Sequence, residues 1–467
     1  MTINWQEEIN NRKDDLINDL FTLLSVNSVR DDSKASADAP VGPGPKEALE
    51  TFLKIAERDG FTTKNVDNLA GHAEFGTGDE TLGVLAHVDV VPVDDKWDTD
   101  PFKPEIINDR IYARGASDDK GPLMAAYYGL KVIKELGLPV EKRVRFIVGT
   151  DEESEWQGVT RYFEVEEEPD FGFSPDADFP IINGEKGMYS AKLVFDRRSE
   201  KLLSFESGLR ENMVPGEAHA VVTGLTSDVN QIVADFQAAN PEITIIVSPD
   251  ADATAITVEG KGVHAMNPSV GYNAATYLSK LLLQLDDDLA QDDLLKFLGD
   301  LLHLDFNGEK LGIAHEDEIM GKVTVNPGLV GEEDGKLYTV LNIRVPRGKE
   351  YSEIDATFAA HGETYHYNFV DGTKTNKVPH YVPADDPLVQ TLLAVYENQT
   401  GEKGQERSIG GGTYGRLLKR GVAFGALFPD SVDTMHQANE FFAVRDLMKS
   451  AAIYAEAIYE LIKPENA

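Results

Sequence analysis

Residues 81–89 read TLGVLAHVD, and this stretch decides the fold. Leu82–Ala86 is a continuous apolar run that stops at His87-Val88-Asp89. A short run without polar alternation suits a parallel strand covered on both faces. Val144–Val148 repeats the pattern and breaks at Gly149-Thr150-Asp151-Glu152-Glu153. Val422–Phe428 repeats it again, followed by Pro429 and a loop that contains His436. Between the first two runs, Ile111–Ala113 reads as a shorter strand, followed by RGASDDKG at 114–121. A helix is expected from Pro122 to about Leu136, with proline at its start and Gly137 at its end. Strand–loop–helix alternation at both chain ends predicts an α/β catalytic domain, its central sheet mainly parallel and flanked by helices.

Working outward, residues 3–24 place Trp5, Ile9, Leu16, Ile17, Leu20, Phe21 and Leu24 at helical spacing, which predicts an amphipathic opening helix. The Ala/Pro/Gly/Asp-rich stretch Asp31–Pro45 reads as loop, and Ala48–Arg58 as helix. From about 187 to 380 the texture changes. Ser190–Phe195, Ala218–Val222 and Tyr338–Val345 alternate like half-exposed antiparallel strands, with helices expected at Thr226–Ala239 and Ala274–Leu285. Asp286–Asp293 reads as an acidic, solvated loop. The expected organisation is a catalytic domain in two segments, 1–186 and 381–467, with a large α+β lid domain inserted at 187–380.

The chain has 467 residues, with 81 Asp+Glu against 44 Lys+Arg, a net charge of −37. At roughly 100–200 residues per domain, this length suggests two to four core-bearing units. So negative a surface argues against nucleic acid and anionic lipid as partners, since both are bound by basic surfaces. There are no cysteines, which excludes disulfides, thiolate nucleophiles and Cys-ligated zinc. Any metal must be held by His, Asp and Glu. The N-terminal residues are charged from Glu7 onward without an apolar signal core, and no apolar run approaches the roughly 18 residues of a membrane span. The expected compartment is the cytoplasm.

In open α/β sheets, ligands collect outside the carboxyl ends of the strands. The polar clusters fall there: His87-x-Asp89, Asp118-Asp119, Asp151-Glu152-Glu153, Ser174-Pro175-Asp176 and, in a late loop, His436. A lone histidine is more often structural than a ligand, and adjacent acids in so acidic a chain are usually surface charge. Their joint placement at strand ends carries the argument. Two histidines and several carboxylates suit Zn²⁺ or Mn²⁺ at a hydrolytic site. A shared carboxylate can bridge two ions, so five ligands suffice. A separate carboxylate must take a proton from the attacking water. The adjacent pair Glu152-Glu153 can divide these tasks, since neighbouring side chains point differently.

These segments resemble the dinuclear zinc peptidases and deacylases that include aminoacylase, carnosinase and succinyl-diaminopimelate desuccinylase. The matching stretches are LAHVDVVP (85–92), YARGASDDKGP (112–122), GTDEES (149–154), FSPDADFP (173–180) and TMHQANE (434–440), with GKGVHAMNP (260–268) matching the lid motif. FSPDADFPIINGEKG, the large insert and the total length look most like bacterial dipeptidases of the PepV type.

The resemblance implies two divalent ions, Zn²⁺ or alternatively Mn²⁺. His87 and Asp176 would bind one ion, Glu153 and His436 the other, and Asp118 would bridge them. It also implies a cis peptide between Asp118 and Asp119. Asp89 would orient His87 through its far nitrogen. Glu152 would be the general base and then the acid that protonates the leaving amine. In the lid, His264 would donate to the oxyanion, and Asn212 and Arg344 would grip the substrate's C-terminal carboxylate. The backbone of Gly410-Gly411-Gly412-Thr413 would contact the same carboxylate, although a glycine cluster is equally at home in a tight turn. The implied activity is hydrolysis of unblocked dipeptides by a monomer whose lid supplies His264 in the same chain. The same machinery would serve an aminoacylase or desuccinylase acting on N-acyl amino acids. A non-catalytic acidic metal-binding protein would need a ligand or the base missing, and every position is filled.

Overall fold

The computed structural model describes residues 3–225, 228–250, 252–371 and 376–464. They form two compact units. One comprises the chain up to Gly184, Tyr381–Arg407 and the chain from Gly412 onward; the other comprises Glu185–His380 and Ser408–Gly411.

The first unit is built on a six-stranded sheet in the order Thr62–Val66, Ala70–Phe75, Arg143–Gly149, Thr81–His87, Phe171–Ser174, Gly421–Ala423. The last four run parallel to one another, and the first two pair antiparallel. Thr81–His87 is buried along its whole length, as its unbroken apolar run predicts. It pairs with Arg143–Gly149 so that His87 lies opposite Gly149, and with Phe171–Ser174 so that Val84 lies opposite Phe173. The helix Lys120–Glu135 is buried through most of its length, and Val444–Ile462 joins it in the same core. Burial on nearly all sides explains why its sequence is apolar all round rather than striped.

Four local expectations need correction. Residues 3–24 form two helices, Trp5–Asn10 and Lys13–Leu24, because Arg12 folds back onto the Glu8 carbonyl (2.6 Å) and reaches Glu135 (2.6 Å). The stretch Asp31–Pro45 is not all loop, since Asp32–Lys34 is a 3₁₀ turn and the next helix starts at Pro43. Val422–Phe428 is not one strand. Gly421–Ala423 and Ala426–Leu427 are separate, with Phe424-Gly425 turning between them and a cis peptide joining Gly425 to Ala426. Asp286–Asp293 is not simply solvated: Asp292 and Asp293 are buried. Asp292 caps the helix Asp293–Lys296 through the Leu295 N–H (3.0 Å) and also accepts from the Ser199 N–H (2.8 Å).

The second unit is an eight-stranded antiparallel sheet in the order Thr244–Pro249, Ala253–Glu259, Glu217–Thr223, Leu202–Ser207, Thr324–Glu333, Lys336–Val345, Gly187–Phe195, Tyr367–Asp371. Helices include Val229–Ala239, Ala274–Leu285 and Tyr351–Tyr365. The expected helix start at Thr226 lies outside the described residues. Alternating strand residues such as Tyr189, Leu193, Leu341 and Ile343 share a core with Leu278, Leu282, Phe297 and Phe358. Among the described residues, no helix is long and apolar enough to cross a membrane.

Each unit encloses a neutral histidine, His72 buried and His303 half-buried. Burial first, and nearby cations second (Arg145 for one, Lys280 for the other), hold His72 and His303 down at about 4. Between pH 6.5 and 4 the unfolded chain takes up protons that these folded imidazoles refuse, so the contribution of these two residues to stability falls as pH falls through this window. Their share of the melting temperature is therefore expected to decline from pH 6.5 to pH 4. His303→Gln should make that decline shallower; an unchanged slope in thermal melts would contradict the assignment.

Candidate metal centre

The parallel strands end at one edge of the sheet, and their loops deliver the polar side chains there. His87 is the last residue of its strand and is fully buried. Its Nε2 lies 3.1 Å from Asp118 Oδ1 and 3.7 Å from Asp176 Oδ2. The other oxygen of Asp118 lies 2.9 Å from His436 Nε2, which is also 2.9 Å from Glu153 Oε1. One carboxylate thus spans both imidazoles. The peptide between Asp118 and Asp119 is cis.

Two groups of donor atoms result, each with all atoms within 4.8 Å of one another: His87, Glu152 and Asp176, and Asp118, Glu153 and His436. The adjacent glutamates fall into different groups. Nitrogen and carboxylate donors without thiolates fit Zn²⁺ or Mn²⁺, and a cluster of buried and half-buried carboxyl groups needs cationic charge close by. The ion pairs that Asp118, Glu153 and Asp176 make are with imidazoles. The residues present therefore fit a centre for two divalent ions.

Protonation states reflect the same need for positive charge. His436 keeps about half of its side chain exposed; desolvation of the rest disfavours charge, but hydrogen bonds with Asp118 and Glu153 outweigh it and lift its pKa to about 11. Burial likewise opposes charge on His87, and Asp118, Asp176 and Asp89 together raise it well above the usual imidazole value. Burial, then the neighbouring Asp118, pushes Glu153 up to about 7. Glu152 is also raised, by burial and then by repulsion from Asp176, Glu153 and Asp118, against the pull of His87.

Buried carboxylates hold the loops in place. His87 Nδ1 lies 3.1 Å from the Asp89 carbonyl oxygen and 3.3 Å from its carboxylate, whose two oxygens accept the N–H groups of Glu152 and Glu153 at 3.0 Å each. Asp89 therefore orients the imidazole and the glutamate pair at once. Asp151 accepts from the N–H groups of Gln157 (2.6 Å) and Gly158 (2.9 Å). Glu440, with no exposed surface, accepts from Arg114 (2.7 Å) and from the N–H groups of Gly115 (3.0 Å), Ser117 (2.7 Å) and Asp118 (3.1 Å). Four residues after His436, it ties the Asp118 loop to the His436 loop. Trp156 donates its indole N–H to the Glu152 carbonyl (2.7 Å) and stacks edge-on against Tyr414. Tyr414 in turn packs edge-on against His87. A side chain at Gly149 would collide with the Tyr414 hydroxyl at 2.4 Å, so glycine is required where the strand meets this ring. Sequence reading missed Glu440, Trp156 and Tyr414. Only the spacing of Glu440 behind His436 offered a signal.

Asn212, His264 and Arg344, the residues expected to handle substrate, lie in the inserted unit. Met213 and His264 face each other on two irregular segments. Bonds from Val214 N to Val263 O (2.8 Å) and from Ala265 N to Asn212 O (2.9 Å) flank that pair, so Asn212 and His264 are neighbours. His264 Nδ1 accepts from the Met266 N–H (3.2 Å), so the neutral ring carries its proton on Nε2. Arg344 is buried on the strand Lys336–Val345, and its Nε donates to Asn342 (3.0 Å). Gly411 belongs to this unit; Gly412 and Thr413 belong to the catalytic unit. The Thr413 hydroxyl accepts from the Gly415 N–H (3.1 Å) and caps the 3₁₀ turn Tyr414–Leu417.

Fold and donor set together define a metal-dependent hydrolase. The model of the family described as Peptidase family M20/M25/M40 matches residues 83–460; the chain belongs to this family and hydrolyses peptide bonds. A protein of Staphylococcus aureus (strain USA300) that carries the provisional name dipeptidase is 44% identical, over 99% of this chain and 100% of the relative. Human carnosine dipeptidase 1 shares the fold at 15% identity with a TM-score of 0.59, covering 98% of each chain. The di-peptidase Dug1p of Saccharomyces cerevisiae does so at 13% identity and a TM-score of 0.58, again over 98% of each.

The four bonds to Glu440 generate a prediction. Glu440→Ala leaves buried donors of the Asp118 loop without an acceptor and should weaken divalent-ion binding by about 10- to 100-fold. The loss should be felt most at the donor group of Asp118, Glu153 and His436, whose two loops Glu440 joins. Calorimetric titration of Zn²⁺ into the apo protein checks this, and two unchanged binding steps would refute it.

Proposed function

We propose that the chain is a dinuclear dipeptidase that cleaves unblocked dipeptides with a Glu152 general base. The observation that carries this reading is the Asp118 carboxylate, one oxygen on each imidazole, with Glu152 and Glu153 beside opposite members of the pair. The provisional name of the 44%-identical relatives supports dipeptides as the substrate class. His87 with Asp176, and Glu153 with His436, would hold the two ions, most simply Zn²⁺ with Mn²⁺ as the alternative, and Asp118 would be shared. The ions would supply Lewis acidity that makes water a nucleophile at neutral pH and polarises the scissile carbonyl.

The chain's own residues do the rest. Glu152 takes a proton from the attacking water as the C–O bond forms. It then delivers that proton to the departing amine nitrogen as the C–N bond breaks, leaving two amino acids. Burial and the neighbouring acids raise its proton affinity, which suits a group that must accept a proton and hold it until the amine departs. Asp89 keeps the imidazole of His87 and the Glu152-Glu153 turn in fixed relation. His264, with Nε2 as its donor, stabilises the oxyanion. Arg344 and Asn212, together with backbone N–H groups at Gly411, Gly412 and Thr413, hold the substrate's carboxylate. The substrate's free amine would lie near the carboxylates of the metal site, and recognition of both substrate ends favours dipeptides over longer chains. We further propose a cytoplasmic monomer.

Three measurements test the reading. Metal-loaded protein should hydrolyse dipeptides, β-alanyl ones included, faster than tripeptides and N-acetyl or N-succinyl amino acids; a preference for the N-acyl substrates would defeat it. Glu152→Gln should retain both ions by elemental analysis while kcat falls by about 10²- to 10⁴-fold. Light scattering should give a mass near 51.3 kDa; an obligate dimer would contradict the monomer proposal.

A further inference from the structure

The segment carrying Asn212 has no regular secondary structure, yet its three successive carbonyls are all engaged. The Glu211 and Met213 carbonyls accept from the Asn326 amide at 3.4 and 2.9 Å, and the Asn212 carbonyl accepts from the Ala265 N–H at 2.9 Å. Asn326 is 1% exposed and lies within the inserted sheet, in register with Asn342, two residues before Arg344. A side chain at Gly328, two residues further on, would meet the Glu211 carbonyl at 2.2 Å, so the segment rests directly on this strand.

The sense of the Asn326 amide is itself set. Its Oδ1 accepts from Asn273 Nδ2 (3.2 Å), whose amide also donates to the Pro327 carbonyl (2.9 Å). A flipped Asn326 would point its NH₂ at the NH₂ of Asn273 and its oxygen at the Met213 carbonyl. Asn273 is 8% exposed and caps the helix Ala274–Leu285 through the Thr276 N–H. The next residue, Ala274, donates its N–H to the Pro215 carbonyl (3.0 Å). A helix start, a buried amide pair and a strand thus converge on residues 211–215. Through the Met213–His264 pairing they also fix His264.

We propose that Asn326, oriented by Asn273, is a positioning residue for the reaction. It donates to the carbonyls on either side of Asn212 and so holds Asn212 and His264 in one fixed relation for substrate binding and oxyanion stabilisation. This rests on the roles given to Asn212 and His264 under the proposed function. The chemistry calls for a donor: aspartate has the shape of asparagine but would face the Met213 carbonyl with an oxygen.

The test is a double-mutant cycle on metal-loaded enzyme, with dipeptide kinetics, bound-metal content and thermal unfolding measured for each variant. Asn326→Asp is expected to lower kcat/KM by about 10- to 100-fold, the scale on which small misplacements act, with two ions still bound. In His264→Ala and Asn212→Ala backgrounds, which should themselves lose activity, the same change should cost much less. Asn273→Ser keeps a helix cap while removing the orienting amide. It should give a smaller loss in the same direction and serves where Asn326→Asp does not fold. Wild-type kinetics in folded Asn326→Asp and Asn273→Ser, or losses that simply multiply with those of His264→Ala and Asn212→Ala, would overturn the inference alone. Wild-type kinetics in His264→Ala and Asn212→Ala would instead overturn the roles on which it rests.

Discussion

Like charges packed into a buried space are the constraint on which the catalytic unit depends. Asp118, Glu152, Glu153 and Asp176 gather at one sheet edge, and among the described residues Asp118, Glu153 and Asp176 make their ion pairs with imidazoles. Such a cluster disperses unless its backbone is held independently of the charges. Asp89 grips the Glu152-Glu153 turn, Asp151 the turn that follows, and Glu440 the Asp118 loop. Each uses a buried carboxylate to collect N–H groups that no sheet or helix satisfies.

The inserted unit solves a similar problem with the opposite chemistry. Its irregular segment at 211–215 is held by its carbonyls, and the donor is a neutral amide, Asn326. The contrast follows from what each region is proposed to face. Anionic scaffolding beside a cation site adds to the attraction for the ions. The same scaffolding beside a site for a substrate carboxylate would repel it, and an amide does not.

Much of this was legible in the sequence because strand ends announce themselves. His87, Asp118, Glu152, Glu153 and Asp176 each follow an apolar run or lie in a loop next to one, and the sheet brings them together for that reason. The second task of Asp89 was not legible, because it bonds to residues more than sixty positions away. Glu440 is one acid among 81, and only the shape of the Asp118 loop singles it out. Asn326 carries no pattern at all: its partners come from two distant segments. Local errors had local causes. The split at Asn11-Arg12 follows from one arginine folding back, and burial of Asp292 from a cap that composition cannot distinguish from surface acid.

The inserted unit is closed by four residues that come from far down the chain. Ile409 receives the Lys186 N–H (2.9 Å), Ser408 donates to the Ile319 carbonyl (2.8 Å), and Gly410 lies so near Met266 that a side chain there would approach its Cβ to 2.8 Å. The stretch 185–380 is therefore not a self-sufficient cassette. During synthesis on the ribosome it must wait for residues 408–411 to emerge before its last contacts can form. A recombination event that moved 185–380 alone into another scaffold would carry an open seam with it.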